Sequence, residues 1–262
     1  MSKPVYDPEK VVEIIRILRS ENGCPWDNEQ TLETLRKYLL EETYEAIDAV
    51  DRRDWPNLCE ELGDALWEIL FMARIAEQEG HFTMEDIFQM VGEKMVRRHP
   101  HIFGEGKADD SQQVIDQWQK IKLEEGKGGS MSKVLKGIPN ALPSLLRAQR
   151  ISERVAEVGF DWENAGQVME KFDEECGEFH EAVQSGDLHA VEDEMGDLLF
   201  TMVNVARHLG TSAEDALRHT TEKFIRRFSE VEKNVAESGI DFADHGVEAL
   251  EEMWQASKKK VG

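Results

Sequence analysis

The sequence predicts an all-α protein built from two tandem copies of one small helical bundle. Glycine and proline are sparse inside long stretches of Glu, Leu, Ala, Met, Lys and Arg, which are all good helix formers. No segment sustains the alternation of apolar and polar residues that is typical of a β-strand. The motifs of the first half of the chain also return, in the same order, in the second half.

Local signals predict the helices of the first copy in order. An apolar periodic stretch begins at Pro8 and ends before the helix-breaking residues 22–25. The second helix runs from about Thr31 to Asp51, and residues 54–56 turn the chain into a third helix that ends near Glu79. Thr83 and Asp86 form a capping-box pattern that opens a helix ending at Arg98. The second copy repeats this order from a helix that starts near Ser144.

Nearly constant offsets relate the two copies. Glu42 and Glu175 differ by 175 − 42 = 133 positions, and three further acid pairs share this offset: Glu45 and Glu178, Glu61 and Glu194, Asp64 and Asp197. The offset is 162 − 26 = 136 for Trp26 and Trp162, and 223 − 94 = 129 for Lys94 and Lys223. Stepwise offsets of this kind indicate a duplicated domain with small loop insertions.

The domain prediction follows from the repeat and from one glycine-rich segment. Residues 1–123 form the N-terminal copy and residues 144–262 the C-terminal copy. Residues 124–143 between them are predicted to be a linker, since they begin with a run of Glu, Gly, Lys and Ser and end at Pro139 and Pro143.

Composition excludes several classes of function. The formal charge of −23 over 262 residues argues against a nucleic-acid partner and against an anionic membrane surface, since both need basic patches. No run of residues approaches the length and hydropathy of a membrane span. Three widely spaced cysteines fit a reducing cytoplasm and neither a disulfide framework nor a zinc site. We therefore expect a cytoplasmic protein.

The most informative stretch is a set of acids in the second copy. Glu175 and Glu178 lie three residues apart and share one helix face, as do Glu194 and Asp197 one helix later. Glu174 belongs at the edge of the same patch. If the two helices pair antiparallel across the turn at residues 184–187, four or five carboxylates converge. Convergence of that kind is costly without a hard cation, for which Mg²⁺ is the ordinary choice.

The second of these helices is predicted to be buried. Its polar positions Glu194, Asp197, Thr201 and Asn204 form one narrow stripe, and apolar residues occupy nearly every other side. A helix that is apolar almost all round is usually buried, and acids on such a helix pair or coordinate a metal ion.

The pattern extends well beyond the acids. Each copy has E-E-x-x-E followed by E-x-x-D about 16 residues later. The other motifs are Gly23-Cys24-Pro25-Trp26-Asp27, Glu41-Glu42-Thr43-Tyr44-Glu45, Glu61-Leu62-Gly63-Asp64, Arg97-Arg98-His99-Pro100-His101, Val158-Gly159-Phe160-Asp161-Trp162, Glu194-Met195-Gly196-Asp197-Leu198-Leu199-Phe200 and Glu222-Lys223-Phe224-Ile225-Arg226-Arg227-Phe228. Over nearly its whole length the chain resembles the two-repeat MazG family of all-α nucleoside triphosphate pyrophosphohydrolases.

The resemblance implies a Mg²⁺-dependent hydrolase, with Mn²⁺ as a substitute ion, that acts as a homodimer. It implies that nucleoside triphosphates, ATP among them, are converted to the monophosphate and diphosphate, with broad specificity and a role in clearing or controlling the nucleotide pool. The metal ligands that it implies are Glu175, Glu178, Glu194 and Asp197, and Glu174 is the candidate general base or orienting residue.

Triphosphate binding also needs cations. Lys223 and Arg227 lie four residues apart on one helix face, and Lys94 and Arg98 repeat them in the first copy. Trp254 is a candidate for stacking on the nucleobase. Trp162 is interpreted as mainly structural, with a place for its loop near the base as the alternative.

The first copy contains every acid and is a second candidate site. Its residues are Glu41, Glu42, Glu45, Glu61, Asp64, Lys94 and Arg98. The resemblance favours the C-terminal copy as the hydrolase and the N-terminal copy as a support for assembly.

Two other functions are alternatives to hydrolysis. The first is a non-catalytic nucleotide sensor or scaffold, at least for the N-terminal copy. The second is a di-iron or di-manganese carboxylate bundle, which needs Glu-x-x-His, and none of the eight histidines has Glu three residues before it.

Overall fold

The computed structural model describes residues 6–111, 113–115, 117–118, 121 and 130–261. All regular secondary structure in these residues is helical. The chain divides into two compact units, Met1–Glu125 and Gly126–Gly262. The prediction of an all-α chain with tandem helical units is confirmed.

The described helices of the first unit follow the predicted order, with two short helices added. They are α1 (Pro8–Leu18), α2 (Pro25–Glu29), α3 (Leu32–Arg52), α4 (Trp55–Gln78), α5 (Met84–Arg98) and α6 (Pro100–Phe103). The helices α3 and α4 pack against each other along their length, and α1 and α5 pack on α4. The predicted capping box of α5 is present, with Thr83 and Asp86 each accepting the other's backbone N–H.

The second unit repeats this arrangement. Its helices are α7 (Met131–Lys136), α8 (Ser144–Ala156), α9 (Ala165–Ser185), α10 (Leu188–His208), α11 (Ala213–Ser238), a 3₁₀ helix (Phe242–Asp244) and α12 (Val247–Val261). The helices α9 and α10 form the equivalent hairpin, and α8 packs on α10. The helix α7 lies inside the segment predicted as a linker, and residues 124–129 of that segment are outside the described residues. The predicted domain boundaries stay a prediction.

Two-residue turns make both hairpins tight. The α9–α10 turn uses Gly186, whose φ of 73° lies in the left-handed region, and Asp187, which caps α10 by accepting the backbone N–H of His189 at 3.0 Å. The α3–α4 turn places Arg53 at the position of Gly186, with a φ of 55°, and Asp54 as the cap of α4. The turn predicted at residues 184–187 is therefore shorter, because residues 184 and 185 still belong to α9.

The apolar core of the first unit lies between α1, α3, α4 and α5. Its largest fully buried side chains are Phe71, Ile15 and Ile75. The guanidinium of Arg19 lies over the Phe71 ring, 5.5 Å from its centroid. The core therefore extends to the end of α1, where the Arg19 guanidinium covers the Phe71 ring.

The prediction that the helix bearing Glu194 is buried all round is only half right. The buried residues of α10 all lie in its C-terminal half and include Thr201 and Asn204. Three apolar residues near the acids, Met195, Leu199 and Met202, are about half exposed in the isolated chain. The apolar pattern of α10 therefore continues onto a surface that the described residues do not cover.

A search for membrane-spanning segments among the described residues finds no helix that combines the required length and hydropathy.

Candidate active site

The hairpin of the second unit brings three of the predicted acids together. Glu175 on α9 and Glu194 and Asp197 on α10 each offer a carboxylate oxygen, and these atoms all lie within 4.8 Å of one another. Glu175 is the buried member, with 5% of its surface exposed. The i, i+3 spacing on α10 and the tight turn at residues 186–187 are the local reasons for the convergence. We call this set the second acid cluster.

The other two predicted acids lie at its margin. The pKa of Glu194 is raised, mainly by burial and then by the negative charges of Glu178, Asp197 and Glu175. Glu178 is therefore close enough to the cluster to affect it. Glu174 is largely exposed and forms an ion pair with Lys171 at 2.8 Å. Mutual repulsion of this kind is relieved by a bound cation, so the carboxylate set fits a hard divalent ion.

Lys171 is a site residue that the sequence analysis missed. Its ammonium lies 2.8 Å from carboxylate oxygens of both Glu174 and Glu175, and these hydrogen bonds raise the pKa of the lysine. The spacing of three and four residues to two of the predicted acids is the signal that identifies it in retrospect. Lys171 supplies a positive charge beside the most buried carboxylate of the cluster.

The first unit contains a matching cluster. Glu42 on α3, with Glu45 and Glu61, places carboxylate oxygens within 4.8 Å of one another. The pKa of Glu42 is raised to about 7, first by burial and then by the charges of Glu45, Asp64, Glu61 and Glu41. Among the ion pairs of the described residues, none involves the three carboxylates of this first acid cluster.

The predicted substrate cations lie on equivalent helices. Lys223 and Arg227 are on α11, which packs against α10, and the buried Nε of Arg227 has no hydrogen-bond partner among the described residues. Lys94 and Arg98 are on α5, and the Arg98 guanidinium lies over the ring of Trp118 at 5.5 Å.

Trp254, the predicted stacking residue, packs within an aromatic group on α11 and α12. Its ring centroid is 5.0 Å from that of Phe224, and Phe228 and Phe242 extend the group. A cavity of about 360 Å³ borders Trp254 and these three phenylalanines. Stacking on a base stays a prediction for this residue.

The family model for the MazG nucleotide pyrophosphohydrolase domain matches the chain twice, at residues 30–103 and 164–231. The chain belongs to this family. The two matches contain the two acid clusters, and they confirm both the predicted family and the predicted enzyme class, a nucleotide-hydrolysing enzyme.

Two relatives match over nearly the whole chain. The nucleoside triphosphate pyrophosphohydrolase of Escherichia coli K12 is 47% identical over 255 residues, which are 96% of this chain and 97% of that protein. The nucleoside triphosphate pyrophosphohydrolase/pyrophosphatase MazG of Thermotoga maritima is 42% identical over 250 residues, 95% of each chain. A crystal structure of a mazG-related protein from Thermotoga maritima is 35% identical and covers 44% of this chain and 98% of its own, with a TM-score of 0.39.

Proposed function

We propose that the second acid cluster binds Mg²⁺ and that the protein hydrolyses nucleoside triphosphates to the monophosphate and diphosphate. The observation that carries the proposal is the convergence of Glu175, Glu194 and Asp197 from the two helices of one hairpin, in a chain of this family. Relatives of nearly equal length are named nucleoside triphosphate pyrophosphohydrolases. Broad specificity, a role in controlling the nucleotide pool and Mn²⁺ as a substitute ion belong to the proposal.

The cluster has the chemistry that a magnesium site needs. All its donors are carboxylate oxygens, which Mg²⁺ prefers, and Mg²⁺ usually takes only one or two of them directly. The proposed ligand set is Glu175, Glu178, Glu194 and Asp197. A bound Mg²⁺ neutralises charge on the phosphate oxygens and lowers the pKa of water.

The reaction that these residues serve is attack of water on the α-phosphorus. The water oxygen forms a new bond to phosphorus, the α–β phosphoanhydride bond breaks, and diphosphate leaves. The proton of the water goes to a carboxylate acting as general base, for which Glu174 and the carboxylates of the cluster are the candidates. Lys171 holds Glu174 and Glu175 in place by its two ion pairs. Lys223 and Arg227 are the proposed partners of the remaining phosphates.

The repeated apolar surface supports the proposed homodimer. Met195, Leu199 and Met202 on α10 are about half exposed. The residues 133 positions earlier are Leu62, Leu66 and Ile69 on α4, which are exposed to the same degree. An uncovered apolar stripe on a helix is typical of a protein contact.

Analytical ultracentrifugation tests the dimer. The wild type should sediment with the mass of a dimer, and the double variant Leu66→Glu with Leu199→Glu should sediment as a monomer. A wild type that sediments as a monomer would contradict the dimer.

The three free cysteines, Cys24, Cys59 and Cys176, support the proposed cytoplasmic location.

Identification of the products tests the activity. The protein is mixed with Mg²⁺ and each common (d)NTP in ¹⁸O-labelled water, and the products are resolved by phosphorus NMR. Monophosphate carrying the label, with unlabelled diphosphate, is the expected result. Nucleoside diphosphate with inorganic phosphate would mean a different reaction, and tight binding without turnover would favour the sensor function.

A further inference from the structure

A pair of histidines at the end of α5 takes no part in the proposed reaction. His99 directly follows Arg98, the last residue of α5, and His101 lies in the short helix α6. Both residues are partly buried. The centres of their imidazole rings are 5.7 Å apart. The pair thus brings two metal-binding side chains together in the first unit, apart from the acids.

The turn between the two histidines is closely packed. Pro100 ends α5, because proline has no N–H for the helical hydrogen bond. The backbone N–H groups of Gly104 and Gly106 both donate to the carbonyl oxygen of Pro100 at 3.0 Å. A Cβ on Gly106 would lie 3.0 Å from the backbone of Pro100 and 3.1 Å from that of His101, so only glycine lets the loop close here. The backbone therefore holds the two imidazoles in place before any ligand binds.

A hydrogen bond fixes the tautomer of His99. Its Nδ1 lies 2.7 Å from the carbonyl oxygen of Met95. A carbonyl oxygen can only accept, so Nδ1 carries the proton of the neutral ring and Nε2 has the free lone pair. Histidines that bind metal ions almost always donate their other N–H in this way. His99 therefore has the tautomer of a metal ligand.

His101 and Gln117 each have a buried polar atom without a hydrogen-bond partner among the described residues. These atoms are the Nδ1 of His101 and the Oε1 of Gln117, whose Nε2 donates to the carbonyl of Lys107 at 3.1 Å. Trp118, the next residue, lies 5.5 Å from the Arg98 guanidinium, so this segment contacts the end of α5. Buried polar atoms normally have a partner, and two without one in the same region indicate a ligand site.

The spacing of the rings fits a single metal ion. In zinc sites each imidazole nitrogen lies about 2.1 Å from the ion, which places the centres of two rings on one tetrahedral ion roughly 5 to 6 Å apart. The observed separation of 5.7 Å falls in this range. Imidazole suits Zn²⁺, Cu²⁺ and Ni²⁺, whereas Mg²⁺ takes oxygen ligands. The pair therefore selects a different class of ion from the acid clusters.

The second unit has other residues at these two positions. The offset of 129 places Phe228 at the position of His99 and Glu230 at that of His101. The helix α11 continues through both. Phe228 belongs to the aromatic group around Trp254, and Glu230 pairs with two lysines. The histidine pair is therefore a feature of the first unit and is not part of the duplicated pattern.

We propose that His99 and His101 bind a divalent transition-metal ion of the zinc class. His99 contributes Nε2 and His101 contributes Nδ1, and water completes the coordination of the ion. The bound ion joins the end of α5 to α6 and stabilises the first unit, because it binds the folded form. The site is separate from the carboxylates, so the proposal goes beyond the proposed function and does not depend on it.

Titration with Zn²⁺ tests the site. Protein labelled with ¹⁵N-histidine is titrated in excess Mg²⁺, which competes for carboxylates and not for imidazoles. In the NMR spectrum the ring nitrogens of two histidines should shift up to one equivalent of Zn²⁺, and His99→Gln or His101→Gln should remove both shifts. Calorimetry should show binding at least about tenfold weaker in each variant, since even the loss of an outer-shell partner costs that much.

His189→Gln is the matched control. His189 is an exposed histidine that pairs with Asp193 at 3.2 Å, and its replacement should leave the Zn²⁺ affinity unchanged. If His101→Gln does not fold, the spectrum of the wild type and the His99→Gln variant still decide the question.

Three results would overturn the site. The first is a wild type in which Zn²⁺ shifts no pair of histidine rings, and the second is a pair of shifts that persists in His99→Gln. The third is that inorganic phosphate produces the shifts and Zn²⁺ does not, which would mean that the imidazoles donate N–H groups to an anion.

Discussion

The two acid clusters of this protein lie on the same kind of hairpin and share two equivalent pairs of carboxylates, Glu42 with Glu175 and Glu61 with Glu194, yet their third members and their surroundings differ. In the second unit Lys171 pairs with the buried Glu175 at 2.8 Å. The position 133 residues earlier is Tyr38, whose ring accepts a cation–π contact from Lys37 at 4.5 Å. In the first unit, burial and then the charges of neighbouring carboxylates raise the pKa of Glu42 to about 7. The acids of the two units therefore stand in different electrostatic surroundings.

A second difference between the units lies one to two helical turns beyond the carboxylates of α4 and α10. Thr201 stands where the first unit has Glu68, whose pKa is raised by burial and by the charge of Asp64. Phe71 fills the core of the first unit, whereas Asn204 borders an open cavity in the second. The sequence keeps the motif acids in both units, and among the described residues a lysine paired with a cluster carboxylate is found in the second.

The largest expected effect is on turnover. Asp197→Ala or Glu178→Ala should lower the rate of (d)NTP hydrolysis at least about a hundredfold, since each removes a group that stabilises charge in the transition state. The matched changes Asp64→Ala and Glu45→Ala in the first unit should leave the rate within a few-fold, as measured by release of diphosphate. Equal losses in both units would mean that the two clusters work together.

Substitutions at Lys171 and at the equivalent Tyr38 should change the free energy of unfolding of the metal-free protein. Lys171→Met leaves the buried Glu175 without its cation and should lower the free energy of unfolding by about 1 kcal/mol, after allowance for solvent screening of the partly exposed lysine. Tyr38→Lys should act in the opposite direction at Glu42. Thermal unfolding with and without Mg²⁺ measures both, and the stabilisation by Mg²⁺ should grow in Lys171→Met. A stability unaffected by either change would show that the ion pair contributes little.

The stability of the second unit should depend on acid through Asp161. Hydrogen bonds from Arg207 lower the pKa of this carboxyl to about 2. The folded state therefore favours the charged form of Asp161 more than the unfolded state does. The resulting stabilisation of the fold is complete above a pH of about 4 and is lost as the pH falls towards 2. The loss is on the order of 2 kcal/mol. Hydrogen exchange of α8 and α10 measures it, and Asp161→Asn should remove this pH dependence.

The smallest expected effect concerns the two hairpin turns. Arg53 adopts the left-handed conformation that Gly186 adopts in the second unit. Arg53→Gly should stabilise the first unit by less than about 1 kcal/mol, because relief of the strained φ is partly offset by the entropy of glycine. The reverse change, Gly186→Ala, should destabilise the second unit by a similar amount in urea unfolding. Stabilisation by both changes would rule out the conformational explanation.

The sequence predicted the features that depend on spacing along a helix. The convergence of Glu175, Glu194 and Asp197 follows from one i, i+3 pattern on α10 and one short turn between α9 and α10, both of which are local. The cavity beside Asn204 could not be predicted in this way, because it depends on which side chains of α8 and α10 meet in space. The exposure of Leu199 could not be predicted either, since an apolar pattern does not say whether the chain itself or another chain covers it.

Manganese substitution tests most directly the claim that the second cluster holds the ion that contacts the substrate. Two double variants, Glu61→Gln with Asp64→Asn and Glu194→Gln with Asp197→Asn, each keep one cluster intact. With Mn²⁺ and the non-hydrolysable α,β-methylene analogue of dATP bound, the hyperfine coupling between the metal and phosphorus should persist in the first variant and vanish in the second. Coupling that persists in the second variant and vanishes in the first would contradict the claim and place the substrate at the first cluster.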